Sequence, residues 1–69
     1  MSPDKLAYMA NQIGKFFAHK PHDTAVAAIA DHIQKFWDPR MRSEILAHLN
    51  AVQLDPSVRQ AVESLKATT

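Results

Sequence analysis

Four histidines are the side chains of this 69-residue sequence with the broadest chemistry, because a neutral imidazole binds metals and also transfers protons. His19 and His22 are three residues apart, but Pro21 lies between them, so the two rings should not share a helix face. His32 and His48 occur singly, and neither belongs to the HExxH pattern of zinc enzymes. The chain has no cysteine, which excludes thiolate ligands. The sequence therefore predicts no metal site.

Nucleophilic and acid–base catalysis also lack an evident set of residues. The serines lie at predicted helix starts or on polar faces, without a base at a spacing that would activate them. Three of the seven carboxylates, Asp23, Asp38 and Asp55, are better explained as helix caps. With a single glycine, the chain has no glycine-rich phosphate loop. We therefore predict that the chain itself is not an enzyme.

Proline positions predict where the helices begin. Ser2-Pro3, Asp38-Pro39 and Asp55-Pro56 each place a side-chain acceptor at an N-cap and a proline at the first helical position. No segment alternates apolar and polar residues as a half-buried strand does. The predicted fold class is all-α, a small bundle of three main helices plus a shorter C-terminal fourth helix in one domain. The predicted helices cover residues 3–19, 24–37, 39–50 and 56–67 of a domain that spans 1–69.

Apolar residues at helical spacing predict the core face of each helix. Gly14 falls outside the stripe of the first helix, where it either weakens the helix or lets another backbone come close. The fourth helix has the smallest apolar side chains, and we expect it to fray or to dock elsewhere. The predicted core residues are Leu6, Met9, Ala10, Ile13, Phe16, Phe17, Val26, Ile29, Ala30, Ile33, Phe36, Trp37, Met41, Ile45, Leu46, Leu49, Val52, Val58, Ala61, Val62 and Leu65.

Size and charge limit the classes of function. A chain this short gains only about 3–5 kcal/mol from a single core, so a partner is the expected stabiliser. The formal net charge is +1 and the cations are dispersed, which gives no electrostatic reason to expect nucleic acid or an anionic membrane. No apolar run approaches the roughly 20 residues of a membrane span. The start of the sequence lacks a secretory pattern, so a cytoplasmic location is expected.

A small set of aromatic and basic residues is predicted to contact a partner. Trp37 lies beside a turn and is followed by Arg40, and both residue types are enriched at interface hot spots. Arg42 falls inside the apolar arc of the third helix, where it either snorkels past the first turn or meets an acceptor on another chain. Tyr8 lies opposite the apolar stripe of the first helix, and His32 lies at the edge of the second stripe. We predict these five residues as the interface.

Three segments of the sequence resemble a known family. They are YMANQIGKFF at residues 8–17, AVAAIADHIQKFWDPRMRSEILAHL at 25–49 and LDPSVRQAVESL at 54–65. Together they resemble the delta subunit of the molybdenum-containing, NAD-dependent formate dehydrogenase. The resemblance implies a cofactor-free accessory subunit of a soluble bacterial complex. It also implies an alpha subunit with a molybdenum-pterin site and iron–sulfur clusters that oxidises formate, and beta and gamma subunits with FMN and further clusters that reduce NAD.

Two hypotheses follow for the function. The first is an accessory subunit that docks on the catalytic alpha subunit and supports assembly or stability of the holoenzyme. The alternative is an autonomous helical homodimer that acts as a nucleic-acid-binding regulator, since short helices joined by tight turns match helix-turn-helix geometry. The near-neutral charge disfavours this alternative, because nucleic-acid binding usually depends on excess positive charge that attracts the phosphates. Under the first hypothesis we expect the isolated chain to self-associate weakly, hiding the apolar surface meant for its partner.

Overall fold

The computed structural model describes residues 2–68 and contains four α-helices followed by a short 3₁₀ helix. Helix α1 spans Pro3–Phe16, α2 His22–Phe36, α3 Pro39–Ala47 and α4 Pro56–Ser64, and the 3₁₀ helix spans Leu65–Thr68. Within this part of the chain there is no strand. The predicted all-α fold is confirmed.

Two of the predicted helix caps form as expected. The Ser2 hydroxyl accepts a hydrogen bond from the Lys5 main-chain N–H at 3.2 Å, at the start of α1. The Asp38 carboxylate accepts one from the Met41 N–H at 2.8 Å, at the start of α3. Both residues have extended backbone conformations and precede a proline, so each satisfies one of the N–H groups that the first helical turn leaves unpaired.

The other two predicted side-chain caps do not form, although α4 begins at Pro56 as predicted. Asp55 occupies the N-cap of α4, but its side chain makes no capping hydrogen bond. The second helix begins at His22, with Pro21 as its N-cap. Asp23 therefore lies within the first turn of α2 and is not a cap. A carboxylate there still favours the helix, because the N-terminal end of the helix dipole is positive.

Helices α1, α3 and α4 end before the predicted boundaries, at Phe16, Ala47 and Ser64. The chain beyond α1 and α3 continues in tighter turns, where N–H groups bond to carbonyls three residues earlier. The Ala18 N–H bonds to the Lys15 carbonyl, for example, at 3.3 Å. Such bonds satisfy the last carbonyls of a helix and close its final turn.

The core face of α1 is shifted toward small residues, which corrects the prediction in part, since Leu6 and Ala10 are buried as expected. Ala7, Ala10 and Gly14 are buried together with Leu6. A Cβ atom added to Gly14 would overlap Cγ2 of Val58 in α4, so the glycine permits a close approach of that side chain. The true face is therefore rotated by roughly 70–80° from the stripe of large apolar residues. Met9 and Ile13 lie at the edge of the core.

Helix α4 lies at the centre of the molecule, although its small side chains predicted fraying or docking elsewhere. Val58, Ala61 and Val62 are fully buried, and α4 packs mainly against α2. Small side chains allow the two helices to come close, and Ile29 and Ile33 of α2 are fully buried as well. The predicted core faces of α3 and α4 are confirmed. The buried or partly buried residues on them are Met41, Ile45, Leu46, Leu49, Val52, Val58, Ala61, Val62 and Leu65.

The segment between α3 and α4 is held by side chains from other parts of the chain. Asn11 of α1 donates a hydrogen bond from its amide to the Gln53 carbonyl and accepts one from the Asp55 N–H, both at 3.0 Å. Arg59 of α4 donates to the Leu49 carbonyl at 2.7 Å. These bonds satisfy main-chain groups that no helix pairs, so the turn is fixed relative to α1 and α4.

Candidate partner-binding surface

Four aromatic side chains form a row across the C-terminal ends of α1 and α2. The rings of Phe16 and Phe17 meet edge to face with centroids 5.0 Å apart. Phe17 contacts the His32 ring at 6.4 Å, and His32 contacts Phe36 at 4.7 Å. We call these four residues the aromatic ridge. Its geometry follows from the fold, because the last turn of α1 lies against the second half of α2.

The two outer rings of the ridge are uncovered. Phe16 is 73% exposed and Phe36 is 72% exposed, whereas Phe17 and His32 are partly buried. The prediction that Phe16 and Phe36 belong to the core was therefore wrong. Each is the last residue of its helix, where no other element covers it. The chain is otherwise compact, with a Cα radius of gyration of 10.6 Å where about 11 Å is expected, so an open fold is not the cause.

Trp37 and Arg42, both predicted as partner contacts, make their main contacts within the chain, at the C-terminal end of α2. Trp37 is 5% exposed and packs in the core. Arg42 donates hydrogen bonds from Nη1 to the Trp37 carbonyl and to the Gln34 carbonyl. Its Nε atom is buried without a hydrogen-bond partner. The acceptors of Arg42 are thus in its own chain, and the guanidinium caps the C-terminal end of α2, which carries Phe36.

The structure brings only one of the five predicted contact residues into the ridge, namely His32. Tyr8 is 65% exposed and Arg40 is also exposed, so both can reach a partner. Over residues 2–68, neither makes a ring contact or a hydrogen bond with the ridge. Tyr8 lies about 12 Å from Phe16 along the axis of α1.

Replacing Arg42 with alanine should lower the free energy of unfolding by about 1–2 kcal/mol, because two carbonyls at the end of α2 lose a charged donor. Arg40→Ala is the matched control, since Arg40 lies in the same turn of α3 with an exposed side chain, and it should change stability by less than about 0.5 kcal/mol. Urea unfolding followed by circular dichroism measures both. Equal losses in the two variants would contradict the capping role of Arg42.

Two lysines neighbour the α1 end of the aromatic ridge along the chain. Lys15 lies in the last turn of α1, and the main-chain N–H of Lys20 donates to the Phe17 carbonyl at 3.1 Å. Neither lysine has an ion-pair partner among residues 2–68. Lys35, in the last turn of α2, pairs with Asp31 at 3.1 Å on the solvent side. The surface therefore combines uncovered aromatic rings with unpaired positive charge.

The polar groups outside the ridge, within residues 2–68, show no arrangement typical of catalysis. His22 is within hydrogen-bond distance of the Gln60 amide at 2.9 Å, and His48 of the Glu44 carbonyl at 2.9 Å. Across the described part of the chain, no three His, Cys, Asp or Glu side chains converge as metal ligands would. Nor does any helix in residues 2–68 have the length and apolar character needed to cross a membrane. The chemistry that the surface supports best is binding.

Comparison with known protein families gives a match to a described family. A family model for the NADH-dependent formate dehydrogenase delta subunit FdsD matches residues 5–62. The matched range includes the aromatic ridge and most of the four helices. No curated protein and no solved structure matches the chain.

Proposed function

The chain belongs to the NADH-dependent formate dehydrogenase delta subunit family, and on that premise we propose that it is a non-catalytic accessory subunit of the complex. In this proposal it docks on the catalytic alpha subunit and supports assembly or stability of the holoenzyme. The observation that carries the proposal is the aromatic ridge, whose outer rings are about three-quarters exposed on an otherwise compact chain. Large exposed apolar rings in contact with each other are typical of protein interfaces.

The size of the chain supports a role that depends on a partner. A core of this size supplies only about 3–5 kcal/mol, and a partner that binds the folded state adds stability in proportion to the logarithm of its concentration over Kd. Docking would thus stabilise the delta subunit as well as the subunit that receives it. This reciprocity suits a subunit whose contribution is structural.

The formate chemistry is assigned to the other subunits in this proposal. The molybdenum-pterin site, iron–sulfur clusters, FMN and NAD that the resemblance implies would be held by the alpha, beta and gamma subunits. A cytoplasmic location is part of the same proposal, since the resemblance is to a soluble complex.

The five residues predicted as contacts enter the proposal in two ways. His32 contributes directly as a member of the aromatic ridge, and Tyr8 and Arg40 are proposed as further contacts because their side chains are exposed. Trp37 and Arg42 contribute indirectly. The hydrogen bonds of Arg42 to the Gln34 and Trp37 carbonyls fix the end of α2 that carries Phe36.

Co-purification from cells that express the whole complex tests this function. A tagged copy of the chain should retain the formate dehydrogenase alpha subunit, identified by mass. Deleting the chain should lower the yield of assembled complex, while the turnover per assembled alpha subunit should stay nearly the same. A salt-dependent DNA-binding assay on the purified chain is the counter-test. Sequence-selective DNA binding without retention of the alpha subunit would favour the regulator and refute the accessory role.

A further inference from the structure

We infer that the aromatic ridge is the docking element and that its receptor is an apolar groove rimmed by carboxylates on the partner subunit. This inference rests on the proposed function, because the occupant is a subunit of the same complex. It adds which face of the chain binds and what chemistry the partner must offer to that face.

The shape of the ridge requires a concave partner. Its four rings touch one another in sequence, so they project as one continuous row and not as scattered apolar residues. Phe16 and Phe36 end the row and are the most exposed of the large apolar side chains described, ahead of Tyr8 at 65%. Aromatic anchors of this kind contribute most when they fill a pocket that excludes water. A groove that takes both outer rings meets this requirement.

The positive charge beside the ridge indicates which chemical groups should line the rim of that groove. Lys15 and Lys20 lack ion-pair partners in the described residues, and no carboxylate occurs in the sequence between Asp4 and Asp23. The end of α1 that carries Phe16 therefore has positive charge that its own chain does not neutralise. Carboxylates on the partner would complement this charge, speed the encounter and fix the orientation of docking.

The same charges disfavour a second copy of this chain as the occupant. In a two-fold symmetric contact the same patch lies on both sides, so the ridge of one copy would meet the ridge of the other. With the two ridges parallel, Lys15 and Lys20 of both copies would lie near one another, and like charges in a partly desolvated contact repel. With the ridges antiparallel, the two lysines would face the end of α2 that carries Phe36, where Lys35 adds a further cation. A heterologous partner with acidic groups avoids this repulsion.

Retention of the alpha subunit by tagged variants, expressed with the whole complex, tests the inference. Phe16→Ser combined with Phe36→Ser should reduce retention at least about tenfold, because both aromatic anchors are lost. Lys15→Glu combined with Lys20→Glu should reduce it about tenfold at low salt, and the difference should shrink near 0.5 M salt, where screening is strong. Lys5→Glu is the matched control, since Lys5 is an exposed lysine at the other end of α1, and its retention should stay at the wild-type level.

Circular dichroism of each purified variant confirms that a loss of retention reflects docking and not unfolding. All the substituted side chains are exposed or partly exposed, so these variants should keep the wild-type helix content. If the two serines leave retention unchanged while the wild-type chain retains the alpha subunit, the inference is overturned and the accessory function stands. If the wild-type chain retains no alpha subunit, the proposed function itself fails.

Light scattering and nucleic-acid binding provide the two remaining outcomes. Self-association of the isolated chain that the serines abolish, with unchanged retention of the alpha subunit, would identify a second copy as the occupant and overturn the inference. Binding of single-stranded nucleic acid that requires the same rings and lysines, again with unchanged retention, would overturn it as well.

Discussion

Trp37→Ala is expected to leave most of the chain unfolded at room temperature. The side chain is 5% exposed and belongs to the main core cluster. Removing a buried tryptophan costs about 3–5 kcal/mol, through lost transfer energy and the cavity left behind. That is about as much as the core of so short a chain supplies in total. Helix content measured by circular dichroism should therefore fall sharply, and no urea transition with a folded baseline should remain.

The conservative variant Trp37→Phe separates the ring from the rest of the residue. Neither substitution removes the Trp37 main-chain carbonyl that accepts from Arg42, so the two variants differ only in what replaces the ring. Phenylalanine fills most of the space and should cost about 1–2 kcal/mol. A cooperative transition close to that of the wild type in Trp37→Ala would show that the ring does not hold this end of the core together.

The helix starts could be predicted from sequence because they depend on local chemistry. A proline at the first helical position and an acceptor before it act within one turn, whatever the rest of the chain does. The start of α2 was placed too late because Asp23 suggested a cap, whereas Pro21 is the N-cap. The core faces of α3 and α4 were also predictable, since the apolar residues on them form a single stripe.

The core face of α1 could not be predicted in this way. Periodicity of large apolar residues placed Phe16 inside and Gly14 outside, and the structure has the reverse. The cause lies in the tertiary packing. Val58 of α4 comes so close to Gly14 that a side chain at position 14 would overlap it. A stripe of small residues gives little apolar periodicity, yet it lets two helices pack at short distance.

The candidate surface was only partly predictable for a related reason. Residue types enriched at interfaces suggested Trp37 and Tyr8 as contacts. Trp37 is buried, whereas Tyr8 is exposed. The ridge could not be predicted from the sequence, because an aromatic residue at helical spacing fits a core and an interface equally well. Only the position of Phe16 and Phe36 at the last residues of their helices separates the two roles.

Two effects of opposite sign compete when Gly14 is replaced. Gly→Ala within a helix gains about 1 kcal/mol from helix propensity, but overfilling a packed core costs about 1–3 kcal/mol. The core term should prevail at Gly14, because the overlapping atom belongs to a fully buried, β-branched Val58 that has few alternative rotamers. Gly14→Ala should therefore destabilise the chain by about 1 kcal/mol, and Gly14→Val by about 3 kcal/mol, as measured by urea unfolding.

The Val58→Ala background reverses the sign of this effect. Removing the Val58 methyl groups costs about 2 kcal/mol by itself, because α4 leaves a cavity against α1. In that background the Cβ of Gly14→Ala meets only ordinary van der Waals contacts, with the Cβ of residue 58 and Ile29 Cδ1 each at 3.9 Å. The same substitution should then stabilise the chain by up to about 1 kcal/mol, the helix propensity term alone. Destabilisation of equal size in both backgrounds would mean that the glycine is required for a reason other than its contact with α4, so the sign change is the decisive result.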